Sequence, residues 1–222
     1  MYKQYEGKIM KIIKMLSSGE VKHFGQNSYL VISGEDAILI DASVDLNELM
    51  KNLSMFSTKP KLKAIFLTHA HFDHIYTLSS IVNKFECPVY TNKFGEKILK
   101  DKNKNLSIML KKPFEFNEKR FINLFDDESE VKVGGITIKC YLTPGHSLDS
   151  SVFVIDDNMF TGDTVFKNCI GRVDLVGGDA NQMKISLNRI KDFISDGVNN
   201  FYPGHNENFD KSALCQVIDY YI

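Results

Sequence analysis

The sequence predicts an α+β sandwich, two β-sheets packed face to face with helices outside. Three observations carry that expectation. Short apolar or β-branched runs recur between Gly, Asp and Asn turn signals, as strands do. Single stretches with apolar residues at helical spacing interrupt them. This alternation then occurs a second time within 222 residues. No linker separates the halves, so residues 1–222 are expected to form one domain, long enough for a large core.

Composition narrows the class. Hydrophobic content of 43% and charged content of 25% are ordinary for a soluble globular protein. A formal net charge of −1 supplies no global field toward nucleic acid or membrane, and neither is an expected partner. Cys87, Cys140, Cys169 and Cys215 are scattered without a C-x-x-C pair, which favours reduced thiols and a cytoplasmic setting. The apolar stretch from Ile9 to Leu16 is cut by Lys11 and Lys14, so it reads neither as a signal peptide nor as a membrane span.

The elements follow in order. Ser28 to Ile32 and Ala37 to Ile40 read as strands around the turn Ser33-Gly34-Glu35-Asp36. Asp41 comes directly after the second, with two open readings: a group steering a metal-bound histidine, or a turn or cap residue. Leu46, Leu49, Leu53 and Phe56 mark a helix capped by Asp45 or Ser43 and ended by Lys59-Pro60. Leu62 to Leu67 is a strand. A helix is expected from Asp73 to about Phe85, with Ile75, Leu78, Val82 and Phe85 inward, and Cys87 to Tyr90 starts another strand. The lysine-dense residues 92–120 read as a solvated helix-and-loop surface; attraction of an anionic substrate is the second reading.

The second half opens with a hairpin, Val131 to Val133 and Ile136 to Leu142, around Gly134-Gly135. Val152 to Ile155 and Met159 to Thr161 flank Asp156-Asp157-Asn158 in the same way. A helix over Ala180 to Ile194 turns Met183, Leu187, Ile190 and Ile194 inward, with Asp179 at its start and Gly197 at its end. Val198 to Tyr202 is a strand. Ala213, Leu214, Val217, Ile218 and Tyr221 mark a last amphipathic helix.

The chemistry concentrates in Thr68-His69-Ala70-His71-Phe72-Asp73-His74. An extended chain sends residues i and i+2 to one side, so His69 and His71 can face one point, with Asp73 and His74 aimed at a second. Neutral imidazole and carboxylate are the usual ligands of zinc and its neighbours. Of the six histidines, His69, His71, His74, His146 and His205 sit just past apolar runs, and so does Asp163. Strand ends on one edge of a sandwich gather in space, so seven candidate ligands converge there. That is enough for two metals with three ligands each and one bridging carboxylate. His23 falls outside the pattern and reads as structural or exposed.

Thr68 to His74, Thr143 to His146, Gly162-Asp163 and Pro203-Gly204-His205 resemble the metallo-β-lactamase superfamily in order and spacing, over nearly the whole chain. The resemblance implies a four-layer αββα sandwich. It implies His69, His71 and His146 for a first metal, Asp73, His74 and His205 for a second, and Asp163 as the bridge. The ions it implies are two divalent metals, zinc first, with iron or manganese as the others. Within the superfamily the chain is similar to short, single-domain glyoxalase-II-like hydrolases, through Asn105-Leu106-Ser107, Gly162 to Phe166, and Gly171 to Leu175 running into Gly177-Gly178-Asp179. It departs at Ile75-Tyr76-Thr77, where those relatives carry a glycine, and at Ser147-Leu148-Asp149-Ser150, where they often carry Ser-Pro-Gly-Ser. Full glyoxalase II also has a C-terminal helical region that grips glutathione, and few residues follow His205 here.

The expected function is a binuclear metal-dependent hydrolase of a small-molecule thioester or related ester. A hydroxide shared by the metals attacks the carbonyl carbon, and one metal stabilises the oxyanion. Asp73 and Asp163 are the expected catalytic carboxylates. Arg172 pairs with Asp174 or meets a substrate carboxylate. The alternatives on the same fold are a mononuclear iron persulfide dioxygenase, a phosphodiesterase or nuclease, and a metal-binding protein without turnover.

Overall fold

Strand residues 29–32 set the layering. Side chains alternate along a strand. Tyr29 and Val31 join one buried cluster and Leu30 and Ile32 another. A strand buried on both faces reads as a continuous apolar run. The computed structural model describes residues 4–5, 8–195 and 197–222.

The first sheet runs, in spatial order, β1 (Gln4–Tyr5), β2 (Lys8–Leu16), β3 (Asn27–Ser33), β4 (Asp36–Ile40), β5 (Lys61–Phe66), β6 (Val89–Thr91) and β7 (Ile122–Leu124). It is antiparallel up to β4 and parallel from there. The second sheet comprises β8 (Ser129–Val133), β9 (Ile136–Leu142), β10 (Ser151–Ile155), β11 (Asn158–Gly162), β12 (Asn200–Pro203) and β13 (Phe209–Asp210), neighbours in that order. Only its β11–β12 pair is parallel. Among the described residues, six α-helices complete the fold: α1 (Leu46–Ser54), α2 (Phe72–Ile75), α3 (Leu78–Phe85), α4 (Lys93–Leu99), α5 (Ala180–Ser195) and α6 (Lys211–Tyr221).

Between the sheets, Val31, Ile38 and Phe66 meet Ile138, Phe153 and Phe160. Phe66 and Phe153 cross the interface edge to face at 5.5 Å, and Tyr29 and Phe160 lie 5.5 Å apart. The outer face of the first sheet packs Leu30, Leu39 and Ile65 against Leu49 and Leu53 of α1 and Ile81 and Val82 of α3. The outer face of the second packs Val152, Met159 and Phe201 against Leu187 and Ile190 of α5 and Leu214 and Ile218 of α6. The result is the expected αββα order, helix, sheet, sheet, helix. The Ile194 side chain lies outside the described residues.

Caps fall where the residue chemistry favours them. Asp45 Oδ1 accepts from Asn47 N and Glu48 N at 2.9 and 3.0 Å, so Asp45 rather than Ser43 starts α1. Asp179 does the same for α5, from Asn181 N and Gln182 N at 2.8 and 3.0 Å.

Beyond β7 and β13, short strands that the sequence reading does not contain, two elements differ from expectation. The segment around Ile9 to Leu16 is strand β2, paired with β3 from Met10 to Leu16. The single helix expected from Asp73 to Phe85 is two, broken at Tyr76 and Thr77. The chain after Asp41 takes the backbone partners a continuous helix would use. Ala42 N donates to His74 O at 2.7 Å, and Thr77 N and Oγ1 both donate to Ala42 O at 3.0 Å. Tertiary hydrogen bonds thus win over helical periodicity. Among the described residues, no helix is long and apolar enough to cross a membrane.

Candidate metal centre

Strands β9, β11 and β12 run in one direction, so the residues that follow them arrive at one edge. β5 brings its own following residues to the same place. There the structure gathers all seven predicted ligands. His71 Nδ1 lies 2.9 Å from His146 Nε2. Asp163 Oδ2 lies 3.6 Å from His146 Nε2 and 3.4 Å from His205 Nε2, while Asp163 Oδ1 lies 3.3 Å from His74 Nε2. Asp73 Oδ2 is 3.2 Å from His205 Nε2 and 4.0 Å from His74 Nε2. Ligands bound at zinc distances in a tetrahedron sit about 3.3 Å apart, so these spacings suit shared ions. Three groups have ligand atoms mutually within 4.8 Å: His69, His71 and His146; His69, His74 and Asp163; Asp73, His74 and His205.

Outer partners fix which nitrogen each ring presents. A histidine that donates from Nδ1 keeps its lone pair on Nε2. His74 Nδ1 donates to Asp41 Oδ2 at 2.8 Å. His146 Nδ1 donates to the Arg172 carbonyl at 2.8 Å, and His205 Nδ1 to the Phe24 carbonyl at 2.9 Å. Thr68 Oγ1 gives its hydrogen to Asp41 Oδ2, so at 3.2 Å it accepts from His69 Nδ1. Four rings therefore turn Nε2 inward, and His71 turns Nδ1 toward His146. Six buried side-chain polar atoms lack a hydrogen bond among the described residues. Three of them are His69 Nε2, His74 Nε2 and Asp163 Oδ1, whose residues form one of the three groups. Buried polar atoms normally find partners, so this cluster marks a cation site. The donor set, imidazole and carboxylate, fits zinc or iron.

The electrostatics agree. Burial, then the neighbouring His74 and His71 rings, holds His69 well below its ordinary value. Burial, then His146, pushes His71 down to about 3. Both rings are thus neutral donors at pH 7. Burial opposes charge on His74, yet Asp163, Asp41 and Asp73 together raise it well above its ordinary value. Burial likewise opposes charge on His205, and Asp163 and Asp73 lift it to about 10. Asp163 stays far below the usual carboxylate range because His205 and His74 outweigh its burial. The carboxylates draw positive charge to these rings, whether proton or metal ion.

Both oxygens of Asp41 are used on His74 and Thr68, the contacts that its steering reading calls for. The Arg172 side chain forms a bidentate pair with Asp174 at 2.9 Å, and its carbonyl holds His146. His23 is exposed and apart. Asp149 goes beyond the sequence reading. Fully buried, it accepts from Ala70 N at 2.8 Å and Ser147 Oγ at 2.7 Å, tying the His69–His71 loop to the loop of His146. Burial raises its carboxyl to about 6. Its only sequence signal is the Ser147-Leu148-Asp149-Ser150 stretch just past His146. Gly204 is required by contact. A Cβ there would meet Asp163 Oδ1 and lie 2.6 Å from His74 Cε1.

A family model described as the metallo-beta-lactamase superfamily matches residues 21–205. The chain belongs to that superfamily. Among its relatives, the probable polyketide biosynthesis zinc-dependent hydrolase PksB of Bacillus subtilis is 32% identical over 86% of this chain and 75% of its own length. The probable metallo-hydrolase MJ0888 of Methanocaldococcus jannaschii is 34% identical over 86% of this chain and 92% of its own. Of the solved structures, the BLEG-1 B3 metallo-beta-lactamase superposes with a TM-score of 0.80 at 25% identity, covering 95% of this chain and 99% of that one. Relatives and site together identify a metal-dependent hydrolase of the metallo-β-lactamase superfamily.

Proposed function

We propose that this superfamily member is a binuclear hydrolase of a small-molecule thioester or related ester, of the glyoxalase-II-like kind. The observation that carries the reading is Asp163, which reaches His146 on one side and His74 and His205 on the other. His69, His71 and His146 would hold one ion, Asp73, His74 and His205 the other, and Asp163 would bridge. Zinc is the proposed metal, in keeping with the zinc-dependent relative and the nitrogen and oxygen donors. Bound zinc supplies Lewis acidity and a water acidified toward neutral pH.

The chain's own groups do the rest. Asp73 and Asp163 both line a cavity of about 650 Å³ over the centre, within reach of a bound carbonyl. Asp73 orients the attacking water by accepting its hydrogen bond. Phe72, Leu106 and Phe166, buried in the cavity wall, exclude bulk water. A thiolate leaves readily and needs no general acid. Among the described residues, Lys14 and Arg172 are the permanent cations that line the cavity, so a small molecule rather than a polynucleotide is the proposed partner. The four free thiols suit a reducing cytoplasm.

The test pairs elemental analysis with a thioester screen. Two metals per chain and chelator-sensitive thioester hydrolysis are expected, with His71→Ala or Asp163→Ala lowering turnover at least 1000-fold, on the order expected for lost metal catalysis. Metal-loaded protein that cleaves no thioester, ester or lactone from a broad panel would defeat the reading. One iron per chain with oxygen uptake on glutathione persulfide would replace it with the dioxygenase.

A further inference from the structure

The cavity over the metal centre has a polar floor and apolar walls. His71, Asp73, His146, Asp163 and His205 form the floor. Leu16, Phe24, Met109, Phe166, Ile170 and Leu175 stand around it. Three of these are poorly covered: Leu16 is 58% exposed, Phe24 46% and Met109 66%. Large apolar side chains left in water beside a deep polar site mark a binding surface. The wall is also built firmly. Phe72 and Leu106 belong to a separate buried cluster with Val21 and Leu110, and Phe72 N donates to Asn105 O at 2.7 Å. The lysine-dense stretch thus gives the cavity Leu106 and Met109, and none of its lysines.

Charge completes the picture. Among the described residues, the cavity has two permanent cations, Lys14 and Arg172. Lys14 Nζ donates to the Asn206 carbonyl at 2.5 Å, and the nearby Glu207 is paired with Lys167 at 2.8 Å. Arg172 is engaged at both ends of its fork by Asp174. The two floor carboxylates are among the groups that would hold the metals, so the apolar walls are the largest surface left to receive the rest of a ligand.

We infer that the substrate is a thioester or ester of an uncharged, apolar acyl group of medium chain length, seated against Leu16, Phe24 and Met109. This rests on the hydrolase reading and names its specificity. Each buried methylene strengthens binding roughly fourfold, so partial burial of a seven-carbon extension is worth at least tenfold.

The test separates binding from turnover. S-octyl- and S-methyl-N-acetylcysteamine, thioethers that cannot be hydrolysed, are titrated calorimetrically into zinc-loaded protein. S-octanoyl- and S-acetyl-N-acetylcysteamine and S-lactoylglutathione are compared by kcat/KM. The octyl thioether is expected to bind at least tenfold tighter than the methyl, and octanoyl to exceed acetyl and lactoylglutathione at least tenfold. Leu16→Ser and Met109→Ser, at exposed positions where folding is undisturbed, are expected to shrink both octyl-to-methyl and octanoyl-to-acetyl ratios. Equal binding of the two thioethers, a preference for lactoylglutathione, or ratios untouched by the variants overturns the acyl assignment while any thioester turnover keeps the hydrolase reading. Tight octyl binding without turnover of any thioester, ester or lactone overturns the hydrolase reading and with it the substrate assignment, leaving an apolar binding site.

Discussion

Replacing Asp41 with Asn is expected to weaken zinc at Asp73, His74 and His205 by 10- to 100-fold. The carboxylate accepts three hydrogen bonds: from His74 Nδ1 and Thr68 Oγ1 on Oδ2, and from Thr68 N on Oδ1, each at 2.8 Å. An amide has one acceptor oxygen and one NH2. With its oxygen on Thr68 N, its NH2 faces His74 Nδ1, and the ring must move its proton to Nε2, the atom meant for the metal. Flipped, its NH2 opposes the buried Thr68 N–H. Either arrangement leaves a buried donor unpaired, which costs about 1–3 kcal/mol. Loss of such an outer partner typically costs 10- to 100-fold in metal affinity, or about 1.4–2.8 kcal/mol. Competition titration against a chelating fluorophore reads both sites. Asp45→Asn, a change at an exposed helix cap that leaves the centre alone, is the control. If Asp41→Asn binds both zinc ions within threefold of the wild type, the steering role is wrong.

Gly204→Ala is expected to push a methyl into Asp163 and His74 and to reduce bound zinc below two per chain; full metal content with full turnover would contradict the contact. Asp149→Asn tests a pH effect in metal-free protein. The folded carboxyl titrates at about 6 instead of 3.8. The native state therefore holds the proton longer than the unfolded one, and stability falls as pH rises through that window, by up to about 3 kcal/mol. Asn lacks this penalty, so the variant should gain on the wild type between pH 3.5 and 7 in urea melts; a pH-independent difference would refute it. Histidines titrate in both proteins and cancel. Phe153→Ala, in the wholly buried layer between the sheets, is expected to cost about 3–5 kcal/mol of unfolding free energy, and a loss below 1 kcal/mol would show that layer to be loosely packed.

The sheets were legible because buried strands leave long apolar runs, and Tyr29 to Ile32 is one. The side chains that gather at the centre were legible because six of the seven sit just past such a run. Strand β2 was obscured by Lys11 and Lys14, whose charges break the pattern of a strand that pairs over seven residues. The break at Thr77 was hidden because its cause, Ala42 and Val44 carbonyls, lies more than thirty positions upstream. Asp149 was invisible for a similar reason: a buried carboxyl is defined by its partners Ala70 and Ser147, which no local spacing reveals. The lysines of residues 92–120 drew attention to charge, whereas the stretch meets the cavity through Leu106 and Met109.

Two of the ring tautomers are held by main-chain oxygens, those of Phe24 and Arg172. The same two residues line the cavity. One position thus serves chemistry through its backbone and selectivity through its side group. Exchange of the side group leaves the carbonyl, and with it the histidine's orientation, in place. Ancestral scaffolds of this design can retune what they accept without retuning how they react, and Phe24 and Arg172 are where a change of diet in this chain would be written.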